Sequence, residues 1–407
     1  MKLVWKLAVL CGLAVMVGAC NNGPSPEELR LAEEGALATL VNKPDPEKLR
    51  MQNAVMQFET FMTDKLEELD LPGAAYAIVK NGEVVSMQTY GVRKKGKPEE
   101  IDEHTVFRLA SVSKGFASVL AGLLVDQSYI DWNDKIKDHL PRFRLRKSSS
   151  TNSMTIRHTL SQTTGLRKYA GSSAIYKGLS YPSILRSLRS APIEDKPARV
   201  YAYQNAMFSA ISEVGKAVTD LSYEELLDSM IFKPLEMDDA SSGYKAMIKT
   251  ENKGYPHVFS KKRGWRSGNI RKNWYNVAPA AGVNASISDM AIWLKAMLGH
   301  YPTVIPDAVR QEIFKRHIPM NEDSGYYESW FPGLAQASYG MGWRIFDYNE
   351  HKIIYHGGYV RGYRPEIGFC PKEDVGIVFL TNASKNELSS ACIKAFFDIY
   401  FAPKVTS

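Results

Sequence analysis

The segment Phe107-Arg108-Leu109-Ala110-Ser111-Val112-Ser113-Lys114-Gly115-Phe116 opens a predicted helix and carries two polar side chains three residues apart. The helix is indicated by apolar residues at the helical period, namely Phe116, Val119, Leu120, Leu123 and Leu124. Ser111 and Lys114 then share one face of its first turn. A lysine at this end opposes the helix macrodipole, so local stability does not explain Lys114. A functional reason is that a buried, neutral amine can take the Ser111 hydroxyl proton, beside backbone N–H groups that can hold an oxyanion.

Two further motifs lie later in the chain. Tyr203 and Asn205 form a Tyr-x-Asn motif, in which a phenol can relay a proton and an amide can bind a substrate carbonyl. His356-Gly357-Gly358 ends a β-like run that begins at Ile353, and its glycines permit close approach of a ligand to the strand. Each motif is weak alone. Their order is informative, with about ninety and then about one hundred and fifty residues between the motifs.

At these motifs the sequence resembles the serine β-lactamase and penicillin-binding-protein superfamily, specifically its class C-like branch of carboxypeptidases, esterases and related hydrolases. The similarity extends from about Leu71 to the C-terminus. Further segments similar to the family's recurrent sequences are residues 71–75, 154–160, 163–166, 231–237, 280–283, 286–290 and 339–343. The resemblance implies that Ser111 is the nucleophile of an acyl-enzyme and that Lys114 is its general base or activating partner. It also implies that Tyr203 shuttles protons to the leaving group.

The resemblance assigns the other site residues to substrate binding. Asn205 corresponds to the residue that binds the lysine and the substrate amide, and His356 and Gly358 lie on the strand that lines the site. The backbone N–H groups of Ser111 and Tyr359 correspond to the oxyanion hole. No metal or other cofactor is implied. The sequence agrees, since it has no H-E-x-x-H, no paired C-x-x-C, and its eight histidines are scattered.

The third motif departs from the family pattern and weakens the expected recognition of a substrate carboxylate. His356 stands where lactamases usually carry the lysine of Lys-Thr-Gly, and it is charged only in part, while Gly357 has no hydroxyl. This favours an esterase or DD-peptidase type of activity, on small esters or D-amino-acid-containing peptides, over an efficient β-lactamase. Arg361 and Arg364 either supply the missing positive charge or are solvated loop residues. The alternatives are a class C-like β-lactamase and a non-catalytic lipoprotein of this fold that binds peptidoglycan fragments.

The predicted fold is α+β, of the β-lactamase/transpeptidase-like type, over residues 71–407. The β-like runs 75–80 and 83–88 are joined by Asn81-Gly82, a strong hairpin signal. We expect this hairpin and strands between about 342 and 382 to form an antiparallel sheet flanked by helices, with a mainly helical region (about 130–335) inserted. A helix is also predicted from Asp45 onward, with an apolar stripe formed by Val55, Phe58, Met62, Leu66 and Leu69.

The N-terminus is typical of an exported protein. Lys2 and Lys6 precede an apolar run over residues 7–17, and Val17-Gly18-Ala19-Cys20 resembles the lipobox of bacterial lipoproteins. We therefore predict a signal peptide over 1–19, lipidation of Cys20, and a tether with N-terminal helices over 20–70, including one from about 25 to 41. An ordinary secretory signal and a single transmembrane anchor are the alternatives. The expected location is the bacterial cell envelope, facing the periplasm from the outer membrane if the cell is Gram-negative.

Composition narrows the function classes further. The 407 residues are 44% hydrophobic and contain four cysteines, which excludes a mainly disordered chain and a disulfide scaffold. The formal charge of +7 without a dense basic run interleaved with aromatics does not indicate a nucleic-acid binder. Expected partners are a small ester or peptide substrate, the membrane through the N-terminal lipid, and peptidoglycan. Cys370 and Cys392 are either disulfide-bonded or two buried thiols.

Overall fold

The computed structural model describes residues 25–27, 30–31, 45–321, 327–329, 331–384 and 386–402. The predicted signal peptide, Cys20 and most of the helix expected over 25–41 lie outside the described residues. Contacts divide the chain into two units after Asn53, and the sheet and cleft described below belong to the second unit, Ala54–Ser407. No helix within the described ranges is long and apolar enough to cross a membrane.

The second unit is built around an eight-stranded antiparallel sheet in the order β2-β1-β13-β12-β11-β10-β9-β8. Two smaller sheets have the orders β3-β7-β4 and β5-β6. The strands are β1 Gly73–Lys80, β2 Glu83–Gly91, β3 Phe107–Arg108, β4 Ser241–Ser242, β5 His257–Ser260, β6 Gly264–Ser267, β7 Val283–Ala285, β8 Ile318–Pro319, β9 Leu334–Tyr339, β10 Arg344–Tyr348, β11 His351–Gly357, β12 Glu366–Cys370 and β13 Val375–Thr381.

Most helices lie between β2 and β9, in the region that the sequence predicts to be a helical insertion. The helices are α1 Pro46–Glu68, α2 Ser113–Asp126, α3 Ile136–His139, α4 Ser148–Ser153, α5 Ile156–Leu160, α6 Ser172–Tyr176, α7 Tyr181–Ser187, α8 Ala210–Thr219, α9 Tyr223–Leu227, α10 Tyr244–Lys249, α11 Ala278–Ala281, α12 Ile287–Leu298, α13 Asp307–Ile313 and α14 Glu387–Phe401. Short 3₁₀ or π turns occur at Ala110–Val112, Leu188–Ser190, Asp228–Phe232, Tyr275–Val277 and Pro371–Glu373.

The predicted hairpin is confirmed and occupies one edge of the main sheet. Asn81 and Gly82 both have positive φ, at 51° and 76°, which is the backbone that a two-residue hairpin turn requires. Strand β1 pairs with β2 at one edge and β13 at the other, and it is buried along its whole length because helices cover both faces of the sheet. The sheet therefore pairs residues 73–91 with a strand that lies some three hundred residues later in the chain, in agreement with the predicted α+β fold.

Helices cover both faces of the main sheet. The apolar stripe of α1 is confirmed at Phe58, whose ring packs edge-on against Tyr76 of β1 and Phe396 of α14. On the opposite face, Gly376 of β13 lies so close to Leu294 of α12 that a Cβ would come within 2.8 Å of its methyl group. The sheet is thus the middle layer of an α/β/α arrangement, and the α+β fold class is confirmed.

Candidate active site

Ser111 lies on a 3₁₀ turn between β3 and the start of α2. The backbone N–H of Leu109 donates to Val283 O of β7 at 2.9 Å, which ties the entry of this turn to the small sheet. Ala110 has a φ of 44°, in the left-handed region that L residues avoid at a cost of about 1–3 kcal/mol. Strain of this kind persists only where the surrounding structure enforces it, and here it sets the position of the neighbouring Ser111.

Lys114 is fully buried beneath Ser111 and its ammonium nitrogen has three oxygen neighbours. Nζ lies 2.8 Å from Asn205 Oδ1, 3.0 Å from Ala280 O of α11 and 3.4 Å from Ser111 Oγ. Burial, with Arg344 as a second cause, holds the pKa of Lys114 well below its usual value. The expected pairing of Lys114 with both Ser111 and Asn205 is therefore present in the geometry.

The loop that carries Tyr203 and Asn205 is fixed by a buried glutamine. Gln162 accepts from Gln204 N at 2.6 Å through its side chain and from Ala202 N at 2.9 Å through its carbonyl. On the other side, Tyr203 O accepts from Tyr169 N at 2.8 Å. These bonds hold the loop against the segment that includes residues 163–166, which the sequence shares with the family.

The ring and the hydroxyl of Tyr203 both lie beside the Ser111–Lys114 pair. Lys114 Nζ lies 4.8 Å from the ring centroid, and the hydroxyl hydrogen-bonds with Ser111 and Arg344. Burial raises the pKa of Tyr203, and the bonds to Ser111 and Arg344 oppose that rise only in part. The phenol consequently keeps its proton near neutral pH.

A cleft of about 760 Å³ joins these residues to the strand side of the site. Its lining includes all of the following: Ser111, Lys168, Tyr169, Ser172, Tyr176, Tyr201, Tyr203, Asn205, Trp274, Ala281, Tyr327, Arg344, Tyr355, Gly357, Gly358, Tyr359 and Arg364. The structure thus brings Ser111, Tyr203 and Asn205 together with Gly358 and Tyr359. Lys114 lies just beneath that lining.

His356 differs from the expectation. It is fully buried and is not among the residues that line the cleft, whereas its neighbours Tyr355 and Gly357 are. Its ring nitrogens lie 3.4 Å from the Tyr339 hydroxyl and 3.2 Å from Arg344 Nη1. Burial and the charge of Arg344 lower the pKa of His356 well below its usual value, so the ring is neutral.

Arg344 is the cleft residue that sequence reasoning missed. It begins β10, is 8% exposed, and lies among tyrosine rings, with its guanidinium carbon 5.1 Å from the centroid of Tyr327 and 5.7 Å from that of Tyr203. Among the described residues it forms no ion pair with a carboxylate. The feature of the sequence that could have identified Arg344 is its position directly after the family-like segment 339–343, at the start of a strand.

The glycines of the third motif have a packing role that the sequence did not indicate. A Cβ on Gly358 would lie 2.6 Å from Leu109 O and 3.1 Å from the Cβ of Ala110. The close neighbour of this glycine is therefore the backbone that precedes Ser111, where we expected a ligand. Tyr359 follows with its side chain 47% exposed at the mouth of the cleft.

The two arginines proposed to replace the motif lysine behave differently. Arg361 is exposed and is not part of the cleft lining. Arg364 lines the cleft, and its Nε donates to Glu366 Oε1 at 2.8 Å. Burial raises the pKa of Glu366, while Arg364 and the Tyr355 hydroxyl oppose that rise.

Comparison with known proteins identifies the architecture. A family model described as Beta-lactamase matches residues 58–394. The chain belongs to the Beta-lactamase family. Protein flp of Staphylococcus aureus (strain COL) is 25% identical over 336 residues, which cover 80% of this chain and 62% of that protein. Unguisins hydrolase ungD' of Aspergillus campestris (strain IBT 28561) is 25% identical over 355 residues, covering 84% and 64%. The chain thus spans less than two thirds of the length of either relative.

Solved structures share the fold of this Beta-lactamase family member. The octameric penicillin-binding protein homologue from Pyrococcus abyssi superposes with a TM-score of 0.73 at 19% identity, covering 85% of this chain and 77% of that one. The penicillin binding protein from Bacillus halodurans gives a TM-score of 0.66 at 18% identity, covering 81% and 96%. The predicted superfamily is confirmed by the family match and by these folds.

The remaining chemistry-bearing residues of this Beta-lactamase family member lie away from the cleft. Cys370 and Cys392 are free, buried thiols, which is one of the two expected states. Within the described ranges, no group of three or more His, Cys, Asp or Glu residues could hold a metal ion. Two segments rich in lysine and arginine are also outside the lining: residues 142–147 lie mainly on the surface next to α4, and residues 261–266 form the exposed turn and second strand of the β5–β6 hairpin.

Proposed function

We propose that this protein is an envelope-anchored serine hydrolase that acts through an acyl-enzyme on small esters or D-amino-acid-containing peptides, as an esterase or a DD-peptidase. The observation that carries the proposal is the environment of Lys114, a fully buried amine held between Ser111, Asn205 and the Ala280 carbonyl. The name of the relative unguisins hydrolase also supports hydrolysis.

The three contacts of Lys114 suit a neutral amine that acts as a base. A neutral amine has two N–H donors and one lone pair. Asn205 Oδ1 and Ala280 O can only accept, so they take the two N–H groups. The lone pair is then left to point toward Ser111 Oγ, 3.4 Å away, and it can accept the hydroxyl proton as Ser111 attacks a substrate carbonyl.

Tyr203 is suited to the second proton transfer. Because its phenol stays protonated and is hydrogen-bonded to Ser111, it can donate a proton to the leaving oxygen or nitrogen. It would recover that proton from Lys114, whose Nζ lies 4.8 Å from the Tyr203 ring centroid. The same pair can then activate the water that hydrolyses the acyl-enzyme.

The substrate is positioned by groups on both sides of Ser111. Asn205 uses its carbonyl for Lys114, which leaves its NH₂ group to donate to a substrate carbonyl. The backbone N–H groups of Ser111 and Tyr359, both on the cleft lining, are the proposed oxyanion hole. Arg344 adds a buried cation, so an anionic group on the substrate would be attracted to the cleft more than His356 alone allows.

Covalent labelling tests the proposed nucleophile. The purified full chain is treated with a fluorophosphonate and, separately, with a fluorescent penicillin, and the peptide 109–114 is examined by mass spectrometry. We expect an adduct on Ser111 in the wild type and none in Ser111→Ala. If neither reagent labels the peptide and Ser111→Ala matches the wild type on ester, peptide and nitrocefin substrates, the proposed function is wrong and a binding-only lipoprotein is favoured.

Envelope anchoring needs its own test because Cys20 lies outside the described residues. We expect cells fed labelled palmitate to incorporate it into the wild-type chain and not into Cys20→Ser. The variant should also move from the membrane fraction to the soluble periplasmic or secreted fraction. Equal labelling of both proteins would contradict lipidation at Cys20.

A class C-like β-lactamase is the second candidate, and Arg344 is the observation that favours it. β-Lactams present a carboxylate, and this buried cation lines the cleft that holds Ser111. Nitrocefin turnover separates the two candidates. Hydrolysis with kcat/KM at least equal to that of the best simple ester would favour the lactamase, whereas slow acylation without turnover would favour the esterase or peptidase.

A further inference from the structure

A carboxylate fills the side-chain space of the third motif's middle residue. Gly357 and Glu366 are directly paired between β11 and β12. A Cβ built on Gly357 would lie 2.0 Å from Glu366 Oε2 and 2.6 Å from the Tyr355 hydroxyl. Any side chain at position 357, including the threonine that lactamases usually carry there, would therefore collide with Glu366.

Glu366 cannot move aside without losing its partners. The side chain is fully buried, accepts a hydrogen bond from the Tyr355 hydroxyl at 2.7 Å, and pairs with Arg364 Nε at 2.8 Å. A buried carboxylate that loses such bonds is strongly disfavoured. Position 357 consequently has to be glycine as long as Glu366 keeps these partners.

This arrangement also sets the charge of the strand side of the cleft. Tyr355, Gly357 and Arg364 line the cleft, so the Glu366 carboxylate lies directly beneath its surface. Glu366 neutralises Arg364 through their ion pair. Arg344, the other arginine of the lining, forms no ion pair with a described carboxylate.

We propose that Glu366 is a specificity-determining residue: by neutralising Arg364 and by occupying the side-chain space of position 357, it limits the preference of the cleft for anionic substrates. This inference rests on the proposed acyl-enzyme function. Arg344 attracts an anion, and Glu366 opposes that attraction from the neighbouring strand. The two residues therefore change substrate preference in opposite directions.

A matched pair of esters tests the inference. The substrates are 4-nitrophenyl butyrate, which is neutral, and 4-nitrophenyl hemisuccinate, which has the same chain length and a terminal carboxylate. We measure kcat/KM for both at pH 8 and low ionic strength, with the full chain. Glu366→Gln keeps the shape and removes the charge, so the hemisuccinate/butyrate ratio should rise by about tenfold, as expected for one charge a few ångströms from another in a partly buried site.

A buried carboxylate outside the cleft provides the control. Asp289 is buried where it caps α12, and it does not line the cleft. Asp289→Asn should lower stability and leave the ester ratio within about twofold of the wild type. A structural effect of losing a buried carboxylate would therefore appear in both variants, whereas a change in the ratio should appear only in Glu366→Gln.

A double-mutant cycle tests the steric half of the inference. Gly357→Ala alone should displace Glu366 and lower activity on both esters by about tenfold or more. In a Glu366→Ala background the same substitution should have an effect of less than about threefold, because the colliding carboxylate is gone. The fraction of active protein in each sample is counted with a neutral fluorophosphonate, so misfolded variants are corrected for.

The outcomes separate the inference from the proposed function. If the wild type turns over neither ester nor reacts with the fluorophosphonate, the proposed function fails. If the wild type turns over both esters and Glu366→Gln leaves the ratio unchanged or lowers it, the role of Glu366 in specificity is wrong. Additive effects of Gly357→Ala and Glu366→Ala would overturn the steric coupling.

Discussion

The helix side of the cleft, with Ser111, Lys114, Tyr203 and Asn205, differs from its strand side in how its chemistry is arranged. On the helix side, each reactive group belongs to a short local motif and reaches the site as that motif implies. On the strand side, the motif residue His356 is buried and does not line the cleft, and the cation that does line it, Arg344, comes from a neighbouring strand.

A helix turn and a sheet distribute side chains in different ways. Residues three apart on a helix share a face, so a Ser-x-x-Lys pair specifies its own geometry. Successive residues of a strand point to opposite faces, and the neighbours on one face come from other strands. The strand side is thus assembled from β10, β11 and β12, which no local motif can describe.

The largest expected effect is on the helix side. Ser111→Ala should lower turnover of 4-nitrophenyl butyrate by about 10⁴-fold or more, because the acyl-enzyme can no longer form. The matched control is Ser118→Ala in α2, the helix that follows Ser111; the Ser118 hydroxyl is buried and has no hydrogen-bond partner among the described residues. Its activity should stay within about twofold of the wild type. If Ser111→Ala keeps its turnover, Ser111 is not the nucleophile and the helix side does not supply it.

Lys114→Met should lower kcat/KM by about 10³-fold, since general-base assistance is lost. In the wild type the rate should rise with pH as Lys114 loses its proton, at a pKa well below 10.5. Between that lowered pKa and 10.5 the unfolded chain binds more protons than the folded one, so the free energy of unfolding also rises with pH. Lys114→Met should remove the rise of the rate with pH and reduce the rise of the free energy of unfolding.

Activity profiles from pH 5 to 10 and denaturant unfolding at the same pH values check this prediction. Lys295→Met, at a half-buried lysine in the last turn of α12, serves as the control and should keep both slopes. An unchanged pH–rate profile in Lys114→Met would show that another group is the base.

The next effect concerns the strand side. Arg344→Met should lower the hemisuccinate/butyrate ratio of kcat/KM by about tenfold, because the cleft loses its buried cation. Arg361→Ala should leave that ratio within about twofold, since Arg361 is exposed and outside the lining. If Arg361→Ala changes the ratio more than Arg344→Met does, the arginine next to the motif is the anion-binding group. The strand side would then take its chemistry from a local motif, as the helix side does.

The smallest effect is expected at the motif residue itself. His356→Gln keeps a side chain that can accept from Arg344, and His356 is buried and does not line the cleft. We expect activity within about fivefold of the wild type, an unchanged ester ratio, and a loss of roughly 1 kcal/mol in the free energy of unfolding from altered hydrogen bonds. If the hemisuccinate/butyrate ratio changes as much as it does in Arg344→Met, His356 does take part in substrate binding, as the sequence motif predicts.

Much of the fold was predictable because its signals are local. The Asn81-Gly82 turn needs positive φ at both residues, and the stripe of α1 places Phe58 against the sheet. Strands β8 and β9 were not predicted, since one has only two residues and the other begins before the family-like segment 339–343. Short edge strands carry too few alternating residues to give a sequence signal.

The amino-acid sequence was enough to predict the superfamily, the sheet with its helical insertion, and the three residues around Ser111, namely Lys114, Tyr203 and Asn205. Each rests on backbone geometry within a few residues or on the order of motifs along the chain. Only the tertiary structure decided which residues of the strands face the cleft. Register and alternation across β10, β11 and β12 bury His356, expose Arg344 to the cleft, and place Glu366 where Gly357 leaves room. These relations join residues on different strands, so they exist only after the sheet has formed.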